Sequence, residues 1–221
     1  MRVAALFVRT DGPYFGMSHV DPWDEGRDAR SYNGNDPVVA HPPCERWGRY
    51  WSGGPSAKVR RAKGDDSGCF ASAVRAVVLF GGVIEHPAGS HAYAHFGLPK
   101  PPSAGRGGWR EGMLLGLETP CRAWTTCVSQ GTYGHPARKD TWLLYVGAVA
   151  PPDLDWSVPR GLARADEGFH SKAERSAARA AGQKPRPRLS KRQLIDTPVP
   201  FRDLLIQLAQ LSRCPPSNPT L

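Results

Sequence analysis

The sequence predicts an α/β protein built on a single sheet, and three observations carry that expectation. Short apolar runs of strand length alternate with a stretch whose apolar residues recur at helical spacing, the pattern of strands and helices stacked in layers. With 24 glycines and 22 prolines in 221 residues, long uninterrupted helices are disfavoured, and a helical bundle with them. A hydrophobic fraction of 40% suffices for one core at this length.

Taken in chain order, Val3–Val8 (VAALFV) reads as a buried strand and Pro37–Ala40 (PVVA) as a second, running straight into His41-Pro42-Pro43-Cys44. Ser67–Phe80 places Phe70, Val74, Val77 and Val78 on one helical face, with Ser67 as N-cap and Gly81-Gly82 as the stop. Val83-Ile84 is a short strand ending at Glu85, and Trp142–Val149 (WLLYVGAV) is the strongest strand in the chain, closed by Pro151-Pro152. Phe201–Leu211 reads as an amphipathic helix with Thr197 as N-cap ahead of Pro198. The expected organisation is a catalytic α/β domain over residues 1–150, a basic linker or nucleic-acid-binding arm over 151–195, and a C-terminal helix over 196–221 that packs back on the core.

The net charge of +9 is concentrated. Between Arg160 and Arg192 stand ten lysines and arginines against three acids, leaving the rest of the chain close to neutral. Such a stretch is either a solvated linker or an arm that grips a phosphate backbone. No apolar run is long enough to cross a bilayer, and the first residues turn polar too soon for a secretory signal, so a cytoplasmic protein with no membrane partner is expected. Five cysteines at irregular spacings argue against a disulfide framework. His91 and His95, with Cys121 and Cys127, match no standard zinc spacing, and no metal is expected. The oligomeric state is left open.

Three segments offer chemistry. In Val38–Gly48 (VVAHPPCERWG) a strand delivers Cys44 into a double-proline loop, which fixes the backbone and presents the thiol at a strand's carboxyl end; a packed turn is the alternative. In Phe80–Ser90 (FGGVIEHPAGS) a second strand ends in Glu85, His86 and a proline, a carboxylate placed to exchange protons. In Gln130–Gly147 a Tyr133-Gly134-His135-Pro136 turn and the pair Arg138, Lys139 precede the best strand, a loop suited to phosphate or the polar edge of a base. Trp47 and Trp51 stand near the cysteine, either to stack on a base or to pack.

In order and spacing these segments resemble the core of the DNA cytosine-5 methyltransferase family. There a Pro-Pro-Cys loop carries the nucleophile, a strand ending in Glu-Asn-Val carries the acid, and a Tyr-Gly-x-Pro-x-x-Arg-x-Arg segment precedes a strand ending in glycine. The matching positions are Pro42-Pro43-Cys44, Glu85-His86-Pro87, and Tyr133 to Lys139 followed by Trp142–Gly147. Thr197-Pro198-Val199-Pro200 is loosely similar to the family's last motif. The resemblance implies a Rossmann-like, methyltransferase-type sheet, reduced at the N-terminus because only 43 residues precede Cys44, with a basic C-terminal extension.

It further implies C5 modification of a pyrimidine, cytosine in DNA, through attack of Cys44 on C6, with Glu85 and His86 as the other catalytic residues. Pro43, His41, Trp47, Tyr133, His135, Arg138 and Lys139 would bind substrate. Phe7, Asp11 and Gly12, in the stretch Leu6–Gly16, would meet S-adenosylmethionine. Similar compact chains carrying HPPC and EHP segments occur among bacteriophages, which implies a phage origin and the cytoplasm of a bacterial host. Two alternatives stand beside this reading: a pyrimidine base- or nucleotide-modifying enzyme with another donor, and an inactive nucleic-acid-binding protein of the same fold.

Overall fold

The computed structural model describes residues 1–48, 50–53, 58–59, 61–114, 121–160, 162, 172–183 and 189–213. They form a seven-stranded mixed sheet flanked by helices, compatible with a Rossmann-like fold. The strands are β1 (Val3–Leu6), β2 (Val20–Trp23), β3 (Val38–Ala40), β4 (Gly82–Pro87), β5 (Arg110–Gly112), β6 (Arg122–Ser129) and β7 (Asp140–Gly147), in the spatial order β2-β1-β3-β4-β7-β6-β5. The first four run parallel, and β7, β6 and β5 follow in antiparallel sequence. The helices are α1 (Cys69–Phe80), α2 (His91–His95), α3 (Lys172–Ala180), α4 (Lys191–Ile195) and α5 (Val199–Leu211).

The inner parallel strands β1 and β3 are apolar and buried at every position because both faces of the sheet are covered. On one face Phe70, Ala73 and Val77 of α1 pack with Ala4, Leu6, Val38, Ala40 and Ile84. On the other, Phe201, Leu205, Leu208 and Ala209 of α5 pack with Val3, Ala5, Val39, Val83 and Tyr145. The alternation of a strand carries through β4, so Glu85 shares the α5 face with Val83, and His86 shares the α1 face with Ile84.

Several local expectations shift. The α1 N-cap is Gly68, without a side-chain cap, while Asp66 rather than Ser67 takes the orphan N–H groups of Gly68 and Phe70, at 3.0 and 2.8 Å. An aspartate offers these two donors two charged acceptor oxygens. The cap of α5 is Pro198, not Thr197, because a proline there has no N–H to satisfy and presets φ. Strands β2, β5 and β6 were not expected. Cys44, Cys69 and Cys127 are free thiols, whereas Cys121 is disulfide-bonded.

Gly82 opens β4 at φ 137°, where a Cβ would run into the Val38 carbonyl on β3. Gly82→Ala is therefore expected to cost about 3 kcal/mol or more, combining backbone strain with overpacking. Urea denaturation of the variant against wild type measures it.

Beyond β7 the chain stays on the body for some distance. Trp109 Nε1 donates to the Pro152 carbonyl at 2.8 Å, Trp156 Nε1 to Thr126 Oγ1 at 3.0 Å, and Thr132 Oγ1 to the Ser157 carbonyl at 2.7 Å. The first part of the expected linker is thus pinned in place. Within the basic stretch, Arg164, Lys184, Arg186 and Arg188 lie outside the described residues.

Candidate functional site

The strand order reverses between β1 and β3. From β1 the chain moves one way to β2, then returns past β1 to β3 and continues to β4 on the other side. In open α/β sheets the crevice at such a switch point, outside the carboxyl ends of the strands, is the usual place for a ligand. A cleft of about 790 Å³ lies there, within the range of small-molecule sites. Phe7, Val8 and Arg9 line it from the end of β1, His41 to Cys44 from the end of β3, and Glu85 and Pro87 from β4. Arg138, Lys139 and Asp140 contribute from the start of β7, and Leu194 to Thr197 from the turn between α4 and α5.

A hydrogen-bonded chain runs along the floor. Tyr14 Oη lies 2.8 Å from His41 Nε2, His41 Nδ1 lies 2.9 Å from Glu85 Oε2, and Gln130 Nε2 donates to Glu85 Oε1 at 3.0 Å. Burial alone would push the Glu85 carboxyl up. The hydrogen bond from His41, followed by the charges of Lys139 and His41, outweighs it and holds the group at about 2. Glu85 is therefore a carboxylate at neutral pH. An ionised carboxylate only accepts, so His41 Nδ1 carries the hydrogen of that contact. Burial and the Glu85 charge push Tyr14 well above its ordinary value, so the phenol keeps its proton.

Cys44 is exposed at the cleft rim, but enough protein surrounds the thiol that burial, with the negative charge of Glu85, raises it above the usual thiol value. The resting site is thus a thiol beside a carboxylate, and the sulfur must lose its proton as it attacks. Arg138 is gripped bidentate by Asp140, with contacts of 2.9 to 3.1 Å, and Lys139 Nζ donates to the Asp196 carbonyl at 3.2 Å. Arg9 Nη2 stands 3.7 Å from Asp196 Oδ1, so both cations hold the Leu194–Thr197 segment across the cleft.

Of the residues singled out from sequence, His41, Pro43, Cys44, Glu85, Arg138, Lys139 and Phe7 meet in this cleft. The others do not. His86 is fully buried on the opposite face, edge-on to Phe70 with ring centroids 5.1 Å apart, and burial lowers it to about 4. Strand alternation separates it from Glu85, which removes it from the catalytic set.

Trp47 is core: its Nε1 donates to Asp66 at 2.8 Å while its ring packs on Phe70, His95 and Phe96. Tyr133 spends its hydroxyl on the Asp155 carbonyl at 3.0 Å and packs on Phe201. His135 is buried, with Nδ1 taking the Ala137 N–H at 3.0 Å and Nε2 meeting the Gln193 carbonyl at 2.9 Å, so it anchors α4 rather than a substrate.

The β1 loop was expected to meet S-adenosylmethionine, and its residues do not fit that group. Where a cofactor loop needs glycines for close backbone approach, Phe7 and Asp11 hold the left-handed positions, at φ 59° and 54°. Gly12 serves a turn in which its N–H meets the Arg9 carbonyl at 3.0 Å. Asp24, the acid that follows β2, accepts from Thr10 Oγ1 at 2.7 Å and Arg27 N at 3.2 Å, contacts that order its own loop. Asp11, Gly12 and Asp24 are all absent from the cleft lining.

Sequence reading missed Tyr14, Gln130, Arg9 and the Leu194–Thr197 segment. For the last, the only signal was the Thr-Pro-Val-Pro run. Fold and site together define an α/β protein with a switch-point cleft holding a cysteine, a histidine-bound glutamate and basic lips. Comparison with protein-family models, curated proteins and solved structures finds no match. Among the described residues, no helix is long and apolar enough to cross a membrane.

Proposed function

We propose that the cleft takes a pyrimidine base and activates its C5 position through covalent addition of Cys44 at C6. The observation that carries this reading is the meeting of Cys44 and Glu85 at the carboxyl ends of adjacent parallel strands, in one cleft. In the addition the Sγ–H proton passes to solvent at the exposed rim, the Sγ–C6 bond forms, and the C5=C6 electron pair moves onto C5 and the conjugated ring. C5 then takes an electrophile, and loss of the C5 proton with expulsion of the thiolate restores the ring. Cytosine in DNA is the substrate that the family resemblance suggests, with a flipped base entering the cleft and the basic stretch holding the backbone.

The misfit of the β1 loop favours a second reading within the same chemistry, in which the electrophile is a donor other than S-adenosylmethionine. No step here runs through that cofactor. The cleft size and its covering segment also suit a free nucleotide. Mass spectrometry of nucleosides from cells producing the protein tests the proposal. A mass-shifted pyrimidine nucleoside is expected with wild type and absent with Cys44→Ala. An unaltered nucleoside and nucleotide pool in both would leave only a binding role for the fold.

A further inference from the structure

The geometry points to a 4-keto pyrimidine of the uracil type, one that presents N–H at N3, as the base this cleft activates; this rests on the pyrimidine reading above and narrows its substrate class. The direction of each hydrogen bond around Glu85 decides it. The Thr141 hydroxyl donates to the Lys139 carbonyl at 3.2 Å, so its oxygen accepts from the Gln130 side chain at 2.9 Å. Gln130 is completely buried; its amide NH2 group faces Thr141 with one hydrogen and Glu85 Oε1, 3.0 Å away, with the other, while its own Oε1 meets no partner among the described residues. On the other side the His41 Nδ1 hydrogen goes to Glu85 Oε2, 2.9 Å away. Both oxygens of Glu85 accept from donors of the protein, and only lone pairs are left for a ligand.

A ring edge meeting Glu85 must therefore bring a hydrogen. Uracil brings one at N3. As Cys44 adds to C6, the displaced electron pair spreads to O4, away from Glu85, and Lys139 of the cleft lining supplies positive charge. Neutral cytosine offers its amino hydrogen, but its displaced pair collects on N3, against a carboxylate with no proton to give. Like charges at that distance raise the barrier for cytosine and not for uracil. The low position of Glu85 agrees with this network.

C5–H exchange in deuterated water tests the inference without any donor. Addition of Cys44, deuteration at C5, loss of the original C5 proton and expulsion of the thiolate return the same base carrying deuterium. Matched single-stranded oligonucleotides with one uracil or one cytosine, and the two free deoxynucleoside monophosphates, are compared, with the Cys44→Ala rate subtracted. Uracil is expected to exchange about tenfold faster or more. Glu85→Gln, which places an N–H opposite N3, is expected to narrow or reverse that ratio. Cytosine exchanging as fast as uracil, or faster, in the wild-type protein overturns the inference while upholding the pyrimidine reading, and this comparison does not depend on Glu85→Gln. Exchange of neither base overturns the pyrimidine reading itself and the inference with it.

Discussion

Cys44→Ala is expected to abolish C5 exchange, lowering the rate by about 10³-fold or more, the scale on which removal of a nucleophile acts. Among the described residues, no other free thiol lines the cleft. Cys69 starts α1 on the far side of Asp66, and Cys127 is buried in β6, pushed up to about 12 first by burial and then by the Asp140 charge. Because Cys44 is exposed and outside both cores, its truncation is expected to leave urea stability within about 0.5 kcal/mol of wild type. A folded Cys44→Ala protein that still exchanges C5 hydrogen would place the nucleophile elsewhere.

Acid is expected to unfold the protein largely through Glu85. Its folded value of about 2 lies below the ordinary value of 4.5, so the stabilisation is fully present above about pH 4.5. It is lost as pH falls towards 2. A depression of this size corresponds to about 3 kcal/mol. Urea midpoints measured from pH 6 down to pH 2 should fall for wild type across that window, and fall less in Glu85→Gln, which has no proton to take up. In His41→Phe the first of the lowering contacts is gone, so Glu85 titrates higher and its loss begins at higher pH. Superimposable profiles for wild type and Glu85→Gln would show that the His41 and Gln130 contacts do not hold an ionised carboxylate.

Much of the parallel half of the sheet is legible in the chain because its strands are buried on both faces. VAALFV and PVVA need no alternation to be read. The outer strands on both sides of the sheet are harder. β5 has three residues, β2 carries Asp21 and Pro22 in an edge strand, and β6 buries Thr125 and Thr126, so its apolar signal is diluted.

The site divides in the same way. Cys44 and Glu85 end recognisable strands, and their place in the cleft follows from strand direction. His86 looks equivalent to Glu85 in sequence but points through the sheet, a consequence of period 2 that single-residue reading overlooks. Trp47, Tyr133 and His135 sit in suggestive motifs and are consumed by Asp66, Asp155 and the Ala137–Gln193 pair. Tyr14, in a turn, and Gln130, at the start of a short 3-10 helix, are isolated polar residues 27 residues before His41 and 45 after Glu85, and only the tertiary fold joins them.

The most direct test of covalent activation at C6 is deuterium incorporation at pyrimidine C5 by the purified wild-type protein, read by mass spectrometry of the recovered nucleoside. Incorporation that depends on Cys44 is predicted, on uracil above cytosine. Recovery of both bases without deuterium, from a protein shown to be folded, would contradict it.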